Sequence, residues 1–383
     1  MDQDQKAAIQ RWVDHVTVSQ DESLSAHDHH IPTPSSTSLP LHQGQKRKTT
    51  SISQMAHPDP LKRIRLSDAD RRRSTLGALS DNITLSPSQT GSNSNTSRSR
   101  PRSSSPTRVK DDLSFASPRV SFVHESTDPG KEVKDLLSFL MDDSSPWEAD
   151  TTEIQNITAA SCKCAIQLRS EGSWVIEVAR PLLQLAIGEQ PLECWSVQTE
   201  SVDPKYQPRY IARDTCNRKI DLVVGFPREE WVDVYKRVGG HIRERCQSHI
   251  SDPHTGRQLL GLGLEVKASN GDLAEAQVQL GVWMAGLVSW AFDHRREAVL
   301  PPPIVGCIAM GDRWEFYIIY GVEDETTREL AEVCVWGPLS DLDGRTGNER
   351  HTARLLKTLR RAMAYSQSQY MERLLAAIGD SSS

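Results

Sequence analysis

No run of about 18 consecutive apolar residues occurs in the 383-residue chain, so the sequence offers no membrane-spanning helix. The opening residues, Met1-Asp2-Gln3-Asp4-Gln5, lack the basic start and apolar run of a secretory signal. No Cys-x-x-Cys pair occurs. The cysteines at 162, 164, 194, 216, 246, 307 and 334 are odd in number and scattered, which excludes a disulfide framework and a paired zinc knuckle. Cys162-Lys163-Cys164 is too closely spaced for a zinc pair and reads as a buried helix residue with its neighbour. These absences suit a reducing compartment, nucleus or cytoplasm, and a protein that is not secreted. A Gly-x-x-x-x-Gly-Lys phosphate loop is also missing; Gly239-Gly240 falls in a helical stretch without the Lys that would complete one. So is a Gly-x-Ser-x-Gly nucleophile elbow. His241, His249 and His254 do not have zinc spacing and are expected in an exposed loop, and the run at 27–30 (His-Asp-His-His) is at most a weak metal binder.

The scarcity is uneven. Residues 1–130 contain no cysteine and one tryptophan, Trp12, and carry 17 Lys+Arg against 14 Asp+Glu, a balance of +3. Residues 131–383 hold the other eight tryptophans and all seven cysteines, with 28 basic against 37 acidic residues, a balance of −9. The first part has too little apolar surface to offset its chain entropy and is expected to be a disordered Ser/Pro/Arg-rich tail. Its segment 86–108 has nine Ser, three Thr and four Arg with Pro87, Pro101 and Pro106 between them, a composition with nothing to pack. Proline-directed phosphorylation is a candidate for Thr33, Ser86, Ser105 and Ser117, each followed by proline. The runs Lys46-Arg47-Lys48, Lys62-Arg63 with Arg65, and Arg71-Arg72-Arg73 read as nuclear-import or phosphate-contact patches. The remaining 131–383 forms one domain of about 250 residues, large enough for a sizeable core.

Periodicity places helices over 131–141, 152–168 and 171–187, the last with Pro181 as a kink or break. Short β-prone runs follow at 194–199 and 219–226, then a mixed-charge helix at 228–246 and a strand at 260–268. Asp272 caps a long helix to about 293, whose stripe is Ala276, Leu280, Trp283, Leu287 and Trp290. Strands at 304–310 and 314–320 form a hairpin about Gly311-Asp312-Arg313, another strand covers 332–336, and a helix at 352–378 closes the chain. This order predicts an α/β fold, a mixed sheet flanked by helices.

Asp221 lies early in one of these strands, and Glu265 and Lys267, two apart, share a face of another. If the strands are neighbours, two carboxylates and an ammonium converge at one rim. Two carboxylates suit Mg²⁺, a hard cation that takes oxygen ligands, and a lysine beside them can hold a water or offset developing charge. Alone, the pattern also fits a turn Asp and a surface Glu–Lys pair. Gln279 adds weight: it flanks an apolar stripe on the next helix, where its amide needs a partner.

Asp221, then Glu265-Val266-Lys267, then Ala-Gln-Val-Gln-Leu-Gly-Val-Trp at 276–283 resemble the PD-(D/E)XK nuclease-like domain of fungal proteins. Glu171-Gly172-Ser173-Trp174, Glu177-Val178 and Pro181-Leu182-Leu183 resemble that family's first-helix signature, departing from it at Val175 and Ala179, where the family tends to carry Asn and His. Gly311-Asp312-Arg313-Trp314 resembles its later Gly-x-x-Trp hairpin. The resemblance spans roughly 150–365 and rests on five blocks in order. It implies a restriction-endonuclease-like αβββαβ core and Mg²⁺-dependent, or Mn²⁺-dependent, cleavage of DNA or RNA. By its motifs Asp221 and Glu265 are metal ligands, Lys267 activates water or stabilises charge, and Gln279 is an auxiliary active-site residue. A helical glutamate assists the metal; Glu171 fits best and Glu177 second, and six residues apart they cannot share one helix face. The competing reading is a catalytically silent nuclease-like scaffold that binds protein or nucleic acid under control of the tail; the −9 balance repels nucleic acid unless a cation or basic face intervenes.

Overall fold

The computed structural model of the chain describes residues 105–142, 151–210, 216–241, 246–296 and 299–378. The basic runs beginning at Lys46, Lys62 and Arg71, the histidines at 27–30, Thr33, Ser86 and most of the Ser-rich segment lie outside the described residues.

Where the description begins, the boundary expected near residue 130 moves toward the N-terminus. Ser105 caps helix α1 (Pro106–Leu113), its side chain accepting from the Arg108 amide at 3.4 Å, with proline in the first turn. This helix buries Val109 and Leu113. Strand β1 (Arg119–Val123) then pairs in parallel with β7 (Leu330–Trp336), Val120 opposite Val333. Composition missed these elements because a five-residue strand on a sheet edge needs only a few apolar side chains; its partner supplies the hydrogen bonds.

Helix α2 (Lys131–Met141) buries Val133, Leu136 and Leu140, and α3 (Thr151–Ile166) buries Cys164 while Cys162 stays half-buried, as the sequence indicated. The helix expected over 171–187 is divided. Helix α4 (Glu171–Trp174) passes into a π-turn (Val175–Ala179) and then α5 (Arg180–Ile187), the Arg180 amide donating to Val175 O, five residues back. Pro181 has no amide hydrogen to donate and its ring crowds the preceding turn; the wider π-turn makes room for it.

Strands β2 (Glu193–Ser196), β3 (Leu222–Phe226) and β4 (Leu259–Lys267) form an antiparallel meander, with α6 (Val232–His241) in the β3–β4 connection. Helix α7 (Leu273–Asp293) carries the chain across to β5 (Ile304–Met310), which lies parallel to β4 as a helical crossover requires. From α4 to β5 this is the αβββαβ order. Strands β6 (Arg313–Glu323) and β7 continue antiparallel, a short β8 (Gly344–Arg345) pairs with the start of β6, and the sheet reads β1-β7-β6-β5-β4-β3-β2. Helix α8 (Glu349–Tyr365), a second π-turn (Ser366–Tyr370) and α9 (Met371–Ile378) replace the single helix expected at 352–378.

Asp272 caps α7, its carboxylate accepting from the Ala274 and Glu275 amides at 2.8 and 3.3 Å. Instead of one stripe, α7 buries residues around its circumference, because the sheet covers one side and α1 and α9 cover others. Gly281 lets the helix approach the sheet: a Cβ there would stand 2.7 Å from the Phe122 ring of β1. Among the described residues no helix is long and apolar enough to cross a membrane.

His249 departs from the exposed-loop expectation. It is fully buried, its ring edge-on to Trp283 with centroids 4.3 Å apart, and neither ring nitrogen has a hydrogen-bond partner. His254 is exposed, as expected. Burial pushes the His249 pKa down to about 3. The unfolded chain therefore binds the extra proton between pH 6.5 and about 3, so this stability is complete above pH 6.5 and drains as pH falls. Urea titrations are expected to show stability falling faster with acidification in the wild type than in His249→Phe, the difference approaching about 1.4 kcal/mol per pH unit; parallel pH curves would sink the assignment. A second expectation concerns Leu168, which ends α3 in the left-handed region at φ 48°, 86% exposed. Its amide and that of Arg169 close the helix onto Ala165 O and Cys164 O, a motif that favours glycine. Leu168→Gly should gain about 1 kcal/mol in urea unfolding; no gain would show that the backbone there is not strained.

Candidate functional site

The antiparallel pairing of β3 with β4 brings the predicted carboxylates together. Leu222 lies opposite Leu264, so Asp221, one residue before the strand, falls beside Glu265. The Asp221 amide donates to Leu264 O at 3.3 Å, and the Val266 amide donates to Asp221 Oδ2 at 2.8 Å. Gln198, just past β2, donates from Nε2 to Asp221 Oδ1 at 2.5 Å. Both oxygens of Asp221 are thus oriented by neutral donors. Glu265 and Lys267 sit two apart on β4, and Lys267 Nζ lies 2.7 Å from Glu265 Oε1. Packing of α4 against β4 delivers Glu171, whose Oε2 is 3.3 Å from the same Nζ. Glu171, Asp221 and Glu265 each place a carboxylate oxygen within 4.8 Å of the others.

This packing brings one of the two helical glutamates, Glu171, to the cluster. Glu177, in the π-turn after α4, forms an ion pair with Arg169 of the turn between α3 and α4 and is not part of the carboxylate cluster. Gln279 stands at the periphery: its Nε2 donates to Lys219 O at 3.3 Å, two residues before Asp221, and its buried Oε1 has no partner. Gln198 was missed by sequence reasoning; a lone glutamine after a four-residue strand carries no spacing signal, and only the β2–β3 pairing reveals its reach. The Gly311 turn closes over the same end of β4. Its amide donates to Lys267 O at 2.8 Å, and its φ of 59° together with the closeness of Ser269 leaves no room for a side chain.

The electrostatics follow from burial. Asp221 is 4% and Glu265 1% exposed. Burial, then the neighbouring Asp221, push the Glu265 pKa up to about 9, against the pull of Lys267. Burial also raises Asp221, opposed by its Gln198 and Val266 hydrogen bonds and by Lys267. For Lys267 burial works downward, but Glu265 and Glu171 outweigh it and the net shift is upward.

A second buried carboxylate gives the contrast. Glu315, also 1% exposed, lies on β6 opposite Ile308, which is itself opposite Glu265. Its Oε1 is 2.9 Å from Arg313 Nη2 and its Oε2 accepts from Tyr317 OH at 2.7 Å. Tyr317 accepts in turn from Gln277 at 3.0 Å, and Gln277 from Lys110 of α1 at 2.8 Å. Glu315 is satisfied as a structural group. Glu265 has Lys267 Nζ at 2.7 Å from Oε1 as its one close partner, and no neutral donor reaches either of its oxygens. A buried carboxylate left this way, grouped with two others, fits a site that a hard divalent cation completes, with Glu171, Asp221 and Glu265 as its oxygen ligands.

A sequence model described as PD-(D/E)XK nuclease superfamily matches residues 111–371. No curated protein matches the chain. The start of the match inside α1 agrees with the N-terminal elements seen in the fold.

Removing the central cation tests the cluster's balance. Lys267→Met, unfolded in urea at about pH 10 with a chelator present, where Glu265 is ionised and Lys267 still carries its proton, is expected to lose about 3 kcal/mol, because Glu265 is left buried without its ion-pair partner. Adding Glu265→Gln to that variant should recover much of the loss. A single-variant cost below about 0.5 kcal/mol, the range of an exposed pair, would contradict the buried pairing.

Proposed function

Since the chain belongs to the PD-(D/E)XK nuclease superfamily, we propose that it is a Mg²⁺-dependent nuclease, with Mn²⁺ as an alternative ion, hydrolysing phosphodiester bonds of DNA or RNA. The observation that carries this reading is the convergence of Glu171, Asp221 and Glu265 beside Lys267, with Glu265 buried and partnered by Lys267 alone.

Asp221, Glu265 and Glu171 hold the ion in this reading. When bound, a divalent cation there lowers the pKa of a bound water and offsets charge on the scissile phosphate. Lys267 orients the attacking water through Nζ and then faces the negative charge that builds on the phosphoryl oxygens as the water oxygen bonds to phosphorus and the bond from phosphorus to one sugar oxygen breaks, the water giving a proton to solvent and the departing sugar oxygen taking one from it. Gln198 and the Val266 amide keep the Asp221 carboxylate in one plane, so little reorganisation is needed when the site fills. Gln279 holds the backbone before Asp221 and offers its free Oε1 to the rim. The residues fit a hard cation because all three ligands are carboxylates, with no imidazole or thiolate among them.

Nucleic acid is the partner this chemistry implies, and the −9 balance of 131–383 makes charge neutralisation at the site a condition for binding. All seven cysteines are free, which suits the nucleus or cytoplasm, and the basic runs of residues 46–73 favour nuclear import.

Calorimetry with Mg²⁺ and Mn²⁺ on the wild type and Asp221→Ala is the first test, followed by incubation with mixed DNA and RNA. Metal binding lost in the variant, and cleavage lowered at least about 100-fold in Asp221→Asn, Glu265→Gln and Lys267→Met, is expected. Cleavage equal in the wild type and Glu265→Gln would remove the enzyme reading and leave a nuclease-like scaffold.

A further inference from the structure

The register of the sheet extends the Lys267 position sideways into a row of cations. Lys267 of β4 lies opposite Met310 of β5, Met310 opposite Arg313 of β6, and Arg313 opposite Arg345 of β8. Residues directly opposite one another point to the same face of a sheet, and neighbouring strands lie about 4.8 Å apart. Arg313 therefore stands roughly 10 Å from Lys267, and Arg345 roughly 15 Å, along one line that starts at the carboxylate cluster. Met310, between them, is uncharged and half-buried.

The face is the same one that carries the carboxylates. Glu265 with Lys267 on β4 is matched two strands away by Glu315 with Arg313 on β6, the glutamate buried and the cation toward the strand end in both. The two cations differ in exposure. The Lys267 side chain is 8% exposed, whereas those of Arg313 and Arg345 are 47% and 57% exposed. Each arginine has one ion-pair contact: Arg313 Nη2 lies 2.9 Å from Glu315 Oε1, and Arg345 Nη1 lies 3.9 Å from Asp312 Oδ2. A guanidinium has five N–H donors, so one carboxylate leaves the rest of the fork open to solvent and to an arriving anion. The longer contact, between two exposed groups, holds little energy.

Folding does not account for Arg345. Like charges directly opposite each other on neighbouring strands repel, and Arg313 and Arg345 are such a pair. The backbone keeps them together regardless. The Thr346 amide donates to Asp312 O at 2.8 Å, and the buried Thr346 hydroxyl lies 2.7 Å from Ser161 Oγ of α3. Residues 131–383 carry a balance of −9, and here they set three cations in one row that leads away from the carboxylates. Arginines spaced outward from a hydrolytic site fit the repeated phosphates of a polymer. We propose that Arg313 and Arg345 hold phosphates of a nucleic-acid strand on one side of the bond to be cut, so that the substrate lies along the sheet edge from β4 to β8. This rests on the nuclease reading of the carboxylate cluster and adds to it the path of the strand.

Fluorescence anisotropy of a labelled DNA oligonucleotide and its RNA counterpart, titrated with the full chain at several salt concentrations, tests it. Ca²⁺ replaces Mg²⁺, so that binding is read apart from turnover. Arg313→Gln and Arg345→Gln are each expected to weaken binding about tenfold and to lower the slope of log Kd against log salt by about one. Arg345→Lys keeps the charge and should keep the slope, which a merely structural role would not require. Arg345→Gln keeps the test available should Arg313→Gln, which leaves Glu315 buried without its cation, fail to fold. Curves for the wild type and Arg345→Gln that coincide would overturn the path and leave the carboxylate site standing, and so would a wild type that binds neither oligonucleotide. Arginine-dependent binding by a protein that cleaves neither in Mg²⁺ or Mn²⁺ would support the path and overturn the nuclease reading instead.

Discussion

Three carboxylates drawn within 4.8 Å of one another repel, and side-chain attraction alone does not assemble them. The backbone does. The register that sets Leu222 opposite Leu264 fixes Asp221 beside Glu265 before any side chain is considered, and the Val266 amide completes the arrangement by donating to Asp221. Shifting that register by one residue would turn Glu265 and Lys267 to the other face. The strand pair therefore bears the electrostatic strain of the site, and the surrounding architecture is built to keep that pair in place.

The support comes from both sides of β4. Strand β5 lies parallel to it because α7 provides the crossover, and α7 is held by burial over most of its surface. On the other flank β2 pairs with β3 and carries Gln198 to Asp221. Helix α4 starts at Glu171, and the π-turn forced ahead of Pro181 lets the following turns keep Trp174, Val178, Leu182 and Leu183 buried despite the proline. A residue that would break a regular helix is thus accommodated by a π-turn that begins one turn beyond Glu171.

Two glutamates of equal exposure sit in different surroundings. Glu315 is enclosed by Arg313 and Tyr317, and the chain of hydrogen bonds continues through Gln277 to Lys110. That network ties α1 to the middle of the sheet, which gives the N-terminal helix a structural purpose its composition did not announce. Glu265 is held by backbone position, with Lys267 as its one close partner and a second carboxylate, Asp221, beside it. The difference is what a bound cation would remove.

Local order along the chain is enough for several pieces: the helix and strand succession from 171 to 310, the Asp272 cap, the Gly311 turn, and the pairing of Glu265 with Lys267 on one face. Each rests on periodicity or on a residue whose conformational preference acts within a few positions. The remainder depends on contacts between distant segments. Tertiary packing chose Glu171 over Glu177, because that depends on which face of a helix meets β4 and on Arg169 being free to engage Glu177. It brought in Gln198, buried His249, and recruited residues 106–123 to the sheet, because hydrogen-bond partners and solvent exclusion are supplied by segments far away in the chain. Local preferences are written in neighbouring residues; the satisfaction of a buried polar group is not, since its partner is chosen only when distant strands and helices meet.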